Sequence, residues 1–501
     1  MAVDRIGSPR AAVPSPRTAA PLRTAAPPHG DTLRRVRRTA GLLLVAALVG
    51  TCGATFPDRG VPAQVSPGMV GGGGWPFTGV PVPADAAEGA SYIPGSSVLL
   101  LRDGRVRLVP LGTSTAITVD ASDPRVAAAV RSDSAWLAGG TVPDGGAAVP
   151  DGTRRVYRGM AERALLDLRL LTRPNGASQA SWYGAWRYSW PRDSAFTAVA
   201  FAVTGHEAEA ERVLRFLARV QNENGLWAAR YHTDGTEVAD GRDPQLDSLG
   251  WVLWASWLFR ERSPASAAAN ELWPMVVRAA DHLAGSLDVE GLPPPSSDYW
   301  ERKPGTEEDP RRPTLGVVGP VLAGLRSASA FAHGAGHTDK ASHWQDAARR
   351  LSDAVTRQFT PYGYPRSPIR NGLMDTSVTF VAPPFAPADP GVTAAVAEGF
   401  RRTSLPNGGV LPGERWSGSP DVAWTPEMAL FALTAATSGR TDEALERLDW
   451  LAEHRTSLGV LPEKVDAEGQ PASVAPLGWT ASLVLLALAA LEDPLPIPPA
   501  R

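Results

Sequence analysis

The sequence runs to 501 residues, and its 43% hydrophobic and 20% charged content matches ordinary globular usage, so a sizeable core is feasible in one large domain or several. A formal net charge of −3 gives no electrostatic case for nucleic acid as a partner. One cysteine, Cys52, excludes an intramolecular disulfide and a cysteine-built zinc site.

In chain order, residues 1–33 are rich in Pro, Ala and Arg and read as disordered. Arg34, Arg35, Arg37 and Arg38 then precede an apolar run over 41–49, followed by Gly50-Thr51-Cys52-Gly53. That is a charged n-region and an h-region too short to span a bilayer comfortably, so 1–52 is expected to be a signal or lipoprotein-type segment. Its end resembles a lipoprotein cleavage box; export is the favoured reading, with a lipid anchor at Cys52 placed ahead of simple secretion and an uncleaved anchor, both of which stay open. Residues 53–95 read as a Gly/Pro-rich tether. A small β-rich region is expected over 96–150, with two strands around Asp103-Gly104 and a third over 115–119.

From 151 onward helix follows helix. Apolar periodicity predicts helices over 156–171, 195–203, 207–220, 246–259, 265–287, 315–332, 341–359, 426–436, 442–453 and 479–491. So many helices with hardly any strand pattern between them argue against an α/β fold. No clean repeat supports a solenoid. A closed double ring of helices buries all these faces and gathers the long Gly/Pro/aromatic loops at one mouth.

Those loops carry the chemistry. Trp186 to Asp193 holds three aromatic rings and an adjacent Arg192-Asp193 pair. Ring faces cover the apolar faces of a sugar, while the charged pair offers hydrogen bonds to its hydroxyls. Pro191 and Asp193 also suit a plain helix start. Glu301 sits between Trp300 and Arg302-Lys303, where Trp300 would partly desolvate it and the two cations would favour its charge. Glu463 follows Pro462 in an apolar loop. Two carboxyls from distant loops, in different surroundings, are what glycoside hydrolysis needs. Glu427 is a rival, but Thr425-Pro426-Glu427 is explained as a helix start with a capping hydroxyl, so it is read as structural. Asp234, Asp240 and Asp243 crowd one loop without the spacing of a calcium loop and read as turns. The eight histidines have no zinc-ligand spacing, so no metal is expected. Neither a phosphate loop nor a G-x-S-x-G motif occurs.

Tyr188-Ser189-Trp190-Pro191-Arg192-Asp193-Ser194-Ala195, Gln245-Leu246-Asp247, Trp300-Glu301 and Gly459-Val460-Leu461-Pro462-Glu463 together resemble four motifs of glycoside hydrolase family 15, the glucoamylase and bacterial trehalase group, in that family's order. The resemblance implies an all-α (α/α)6 barrel over 151–501 and exo-acting release of glucose from α-glucosides with inversion, without metal or organic cofactor. It implies Glu301 as general acid, Glu463 as general base, and Arg192 and Asp193 as the glucose grip. Gln245 and Asp247 match the family's Q-x-D loop, and Trp190, Trp227 and Trp300 are expected as subsite walls. Arg302, Pro462 and Lys464 differ from the residues usual at those places. The chain is expected to act as a monomer on an α-glucan or α-glucoside. Two other readings stay open: a surface carbohydrate-binding protein on the same barrel, and another (α/α) barrel enzyme such as a phosphorylase or lyase.

Overall fold

The computed structural model describes residues 89–110, 116–182 and 184–500. The expected leader, Cys52 and most of the tether lie outside the described residues.

Four short strands open the described chain: β1 (Ser91–Tyr92), β2 (Leu99–Leu100), β3 (Arg105–Leu108) and β4 (Ile117–Asp120), antiparallel in sequential order. The β2–β3 turn sits at Asp103-Gly104, where Gly104 takes a positive φ of 82° that a side chain would resist. A helix that the sequence reading passed over follows, α1 (Pro124–Ala138). Its start is nevertheless written in the chain: Asp123 accepts the backbone N–H of Arg125, with proline at the first helical position. Val98, Val106, Leu108, Val126 and Ala129 form a small core between sheet and helix.

Twelve α-helices of thirteen residues or more lie among the described residues, and eleven of them, with one short helix, build two concentric rings. The inner ring runs through α3 (Pro191–Val203), α5 (Leu246–Arg262), α7 (Leu315–Gly334), the 3-10 segment Thr376–Val381, α10 (Thr425–Thr437) and α12 (Gly478–Glu492), which packs back against α3. The outer ring is α2 (Asp151–Leu171), α4 (Glu207–Val220), α6 (Trp273–Ser286), α8 (Thr338–Gln358), α9 (Pro390–Thr403) and α11 (Thr441–Glu453). This is the expected (α/α)6 barrel. Periodicity separates the rings: outer helices bury one stripe, while α3, α5, α7, α10 and α12 are apolar nearly all round because both faces are covered. The α5–α7 crossing is close enough that a methyl on Gly250 would overlap the carbonyl of Pro320.

Three departures have local causes. The helix expected over 265–287 breaks at Leu272, because Pro274 must sit in the first turn of the second piece. The helix α9 escaped notice because Gly391, Thr393 and Gly399 are weak helix formers, although Asp389 caps it. The fourth inner element is only six residues of 3-10 helix, too short to carry a periodic signal.

Candidate active site

The inner helices α3, α5, α10 and α12 begin with short stretches that converge on one end of the barrel. At the head of α3, Trp190 is extended, Pro191 takes the first helical position and Asp193 lies in the first turn. Backbone hydrogen bonds in both directions between Ser189 and Tyr231 fix the approach. Arg192, 4% exposed, is the hub. Its Nη1 donates to Gln245 Oε1 at 3.2 Å and Asp247 Oδ2 at 3.1 Å, and its Nη2 donates to Glu301 Oε1 at 3.1 Å. Its Nε lies 3.4 Å from Asp193 Oδ2. Three stretches spread over 110 residues thus meet on one guanidinium.

Arg192 thus faces three carboxyls, one of which, Glu301, it shares with Arg242. Burial, together with mutual repulsion, pushes Asp247 up to about 7 and Asp193 up to about 6, against the pull of Arg192. The same three carboxylates raise Arg192 above its ordinary value against its own burial.

Glu301 stands on a rigid arm. Its N–H donates to the Asp298 carbonyl at 2.8 Å, and Trp300 N–H donates to Asp298 Oδ1 at 3.0 Å. Asp298 Oδ2 in turn accepts from Thr314 Oγ1 at 2.7 Å. Arg366 clamps this arm from below, reaching Asp298, Glu307 and Asp375 at 2.8–3.1 Å, with its guanidinium 3.9 Å from the Trp300 ring centre. Glu301 itself has φ +58°, a left-handed conformation that redirects the chain. For that reason the cations next to it in sequence are not its partners. Arg302 turns away onto Trp300, Trp416 and Ser417, while Arg192 and Arg242 reach Glu301. The expected influence of Arg302 and Lys303 on Glu301 is corrected accordingly.

Glu463 is held by different chemistry. Its Oε1 accepts from Trp186 Nε1 at 3.0 Å, and its Oε2 accepts the Ser473 hydroxyl. Its N–H donates to Val474 and its carbonyl accepts from Thr425 N–H. Thr425 does not cap α10 with its hydroxyl as the sequence suggested. The cap position is Trp424, and Thr425 Oγ1 instead donates to the carbonyls of Pro462 and Glu463, bolting the helix start to this loop. Glu427 lies in the first turn of α10 and is 3% exposed. Burial first, then Glu463 and Asp375, push it up to about 8, with Lys464 opposing.

Aromatic rings join the two arms. Trp300 meets Trp416 edge-on at 5.2 Å, Trp416 meets Trp424 at 4.9 Å, and Lys464 lies 4.2 Å over Trp424. Across from them, Trp479 lies 5.5 Å from the Arg192 guanidinium and 6.2 Å from Tyr299. Trp190 and Tyr188 both lie beneath Arg230. The buried indole N–H groups of Trp190, Trp300, Trp416, Trp424 and Trp479 have no protein acceptor, and sugar hydroxyls are suited to accept them.

Of the residues singled out in the sequence, Trp190, Arg192, Asp193, Gln245, Asp247, Trp300, Glu301 and Glu463 share this end of the barrel. Trp227 does not join them. It is 1% exposed and donates its N–H to Leu217 O at the end of α4, so it fills the core behind the wall. Arg242, Arg366, Ser473, Trp416 and Trp424 were not anticipated, whereas Trp186 belongs to the aromatic stretch singled out in the sequence. Asp234 closes a turn onto Thr236, and Asp240 pairs with Arg230 and Arg242. Among the described residues no group of acidic, histidine or cysteine side chains is arranged to hold a metal ion.

Residues 172–383 match the model of glycosyl hydrolases family 15. A glycosyl hydrolase of Methanocaldococcus jannaschii, itself uncharacterised, is 24% identical over 352 residues, 65% of this chain and 55% of the relative. The chain therefore spans about half the length of that protein. An isomaltose glucohydrolase of Kribbella flavida is 26% identical over 317 residues, 56% of this chain and 76% of the relative. Among solved structures, a glycosidase in complex with glucose superposes at TM-score 0.58 and 21% identity, covering 69% of this chain and 99% of that one. A bacterial glucoamylase complexed with acarbose superposes at TM-score 0.59 and 16% identity, covering 76% and 64%. These superpositions establish the shared barrel. The family match over residues 172–383 holds three of the four motifs in the expected order, and the fourth, around Glu463, lies beyond it.

Proposed function

We propose that the protein is an exo-acting glycoside hydrolase that releases glucose from α-glucosides with inversion. The observation that carries this reading is the convergence of Glu301 and Glu463, from loops more than 160 residues apart, on one tryptophan-walled end of the barrel beside the Arg192-Asp193 pair. In the reaction, Arg192 and Asp193 bind hydroxyls of the terminal glucosyl ring, with Gln245 and Asp247 fixing the guanidinium. Glu301 gives its proton to the glycosidic oxygen as the C1–O bond breaks. Glu463 takes a proton from a water whose oxygen bonds to C1 on the opposite face. An inverting pair stands about 6.5–9.5 Å apart to admit that water. The tryptophans exclude bulk solvent and cover the sugar's C–H faces.

The name of the Kribbella relative puts isomaltose first among substrates to assay, with maltose, dextran and trehalose beside it. Glu301→Gln and Glu463→Gln should each lower kcat by at least about a hundredfold, since acid–base help is commonly worth that per group. Near-full activity in either variant would remove its role. One observation favours a binding protein instead: guanidinium groups take both oxygens of Glu301. Calorimetry showing glucoside binding without turnover would select that reading. We also infer export with acylation at Cys52. Mass spectrometry of the mature N-terminus tests it, and an unmodified, uncleaved leader would refute it.

A further inference from the structure

A third glutamate lies at the same end of the barrel, in the helix turn bonded to the Glu463 loop. Glu427 lies in the first turn of α10 and was explained from sequence as helix-start chemistry. Helix-start acids are ordinarily solvated, whereas Glu427 is almost wholly buried and its Oε2 has no hydrogen-bond partner in the protein. A buried carboxyl oxygen without a protein partner is costly to keep. Its surroundings are the site itself. Glu463 and Lys464 of the base loop, Asp375, and Tyr299 of the arm that carries Glu301 all interact with it electrostatically. Asp375, itself paired to Arg366, adds repulsion, and Lys464, over the Trp424 ring, offsets it only in part. The Thr425 bonds to the carbonyls of residues 462 and 463 fix the first turn of α10 against the base loop.

We propose that Glu427 is a substrate-binding residue: its unpartnered carboxyl oxygen hydrogen-bonds a hydroxyl of the glucosyl ring seated against Glu463. Burial and the neighbouring carboxylates keep Glu427 protonated through neutral pH, so the group presented to the sugar is an O–H donor. This also sets a hydrogen-bond donor beside Glu463, whose own carboxyl oxygens accept from Trp186 and Ser473.

The inference rests on the glucosidase reading, and its test is binding of glucose by calorimetry, which needs no turnover. Wild-type affinity should fall as pH rises through about 8, where Glu427 loses its proton. In Glu427→Gln the amide still donates but does not titrate, so that alkaline decline should flatten. Glu427→Met should weaken glucose binding about tenfold, the worth of one such hydrogen bond. Its unfolding temperature should stay at or above wild type, because an unpaired buried polar atom has been removed. An alkaline decline unchanged in Glu427→Gln, or wild-type glucose affinity in Glu427→Met, would overturn the proposal. Loss of stability together with affinity in Glu427→Met would assign Glu427 to the fold instead. If the wild type binds glucose as described but hydrolyses no α-glucoside, the hydrolase reading fails while this one stands.

Discussion

The two arms that carry Glu301 and Glu463 are built on opposite principles. The Glu301 arm is saturated with charge: Arg192 and Arg242 grip the carboxyl, and Arg366 holds the backbone behind it through three buried acids. The Glu463 arm uses neutral donors, an indole and a hydroxyl, with a second carboxyl close by. The same side chain is thereby held in two different electrostatic settings. Breaking the first arm strands buried charges, while breaking the second removes single hydrogen bonds.

That difference sets the order of expected effects. Arg192→Met leaves Asp193, Asp247 and Glu301 facing one another without their shared cation, so it should destabilise by about 3–5 kcal/mol and abolish activity. Denaturant unfolding checks the first and glucose release the second. Arg366→Met should cost a similar amount of stability, because Asp298 and Asp375 lose a fully buried partner. It should also loosen the Trp300-Glu301 arm while leaving Glu463 in place, so activity should fall through kcat more than through glucose affinity. Ser473→Ala removes one neutral donor from Glu463 and should cost only about 0.5–1.5 kcal/mol, seen as a kcat loss of about tenfold or less. If Ser473→Ala proved as damaging to stability as Arg366→Met, the contrast between the arms would be wrong.

Stability should also depend on pH. Asp193, Asp247 and Glu427 have folded-state values of about 6, 7 and 8, all above those of an unfolded chain. The folded protein therefore holds more protons, and the stability these groups contribute is full near pH 4 and lost as pH rises through their folded values. The unfolding temperature should be higher at pH 5 than at pH 8. Glu427→Gln should shrink that difference, while a rise in stability from pH 5 to 8 would contradict the assignment.

Much of the site was legible because its residues sit in short stretches where aromatic rings adjoin charge, as in Trp190 to Asp193 and Trp300-Glu301. What escaped notice was the partnership between stretches. Arg242 and Arg366 carry no local signature. Their importance arises only when the barrel closes and brings residues 242 and 301, or 298, 366 and 375, into one place. Arg302 misled for the converse reason: the left-handed backbone at Glu301 sends the next side chain elsewhere. Glu427 and Trp227 show the two directions of one ambiguity. A good helix start concealed a buried group at the site, while a tryptophan in a promising loop turned out to be core packing. The barrel was readable from periodicity except at Thr376–Val381 and α9, where six residues and a glycine-containing run gave too weak a pattern.

The most direct test of the account is proton NMR of the first turnovers on isomaltose or maltose, following the anomeric signals before mutarotation. Glu301 and Glu463 working across an intervening water should release β-glucose first, with the signal absent in Glu301→Gln and Glu463→Gln. Release of α-glucose first, or unchanged glucose release by either variant, would contradict it.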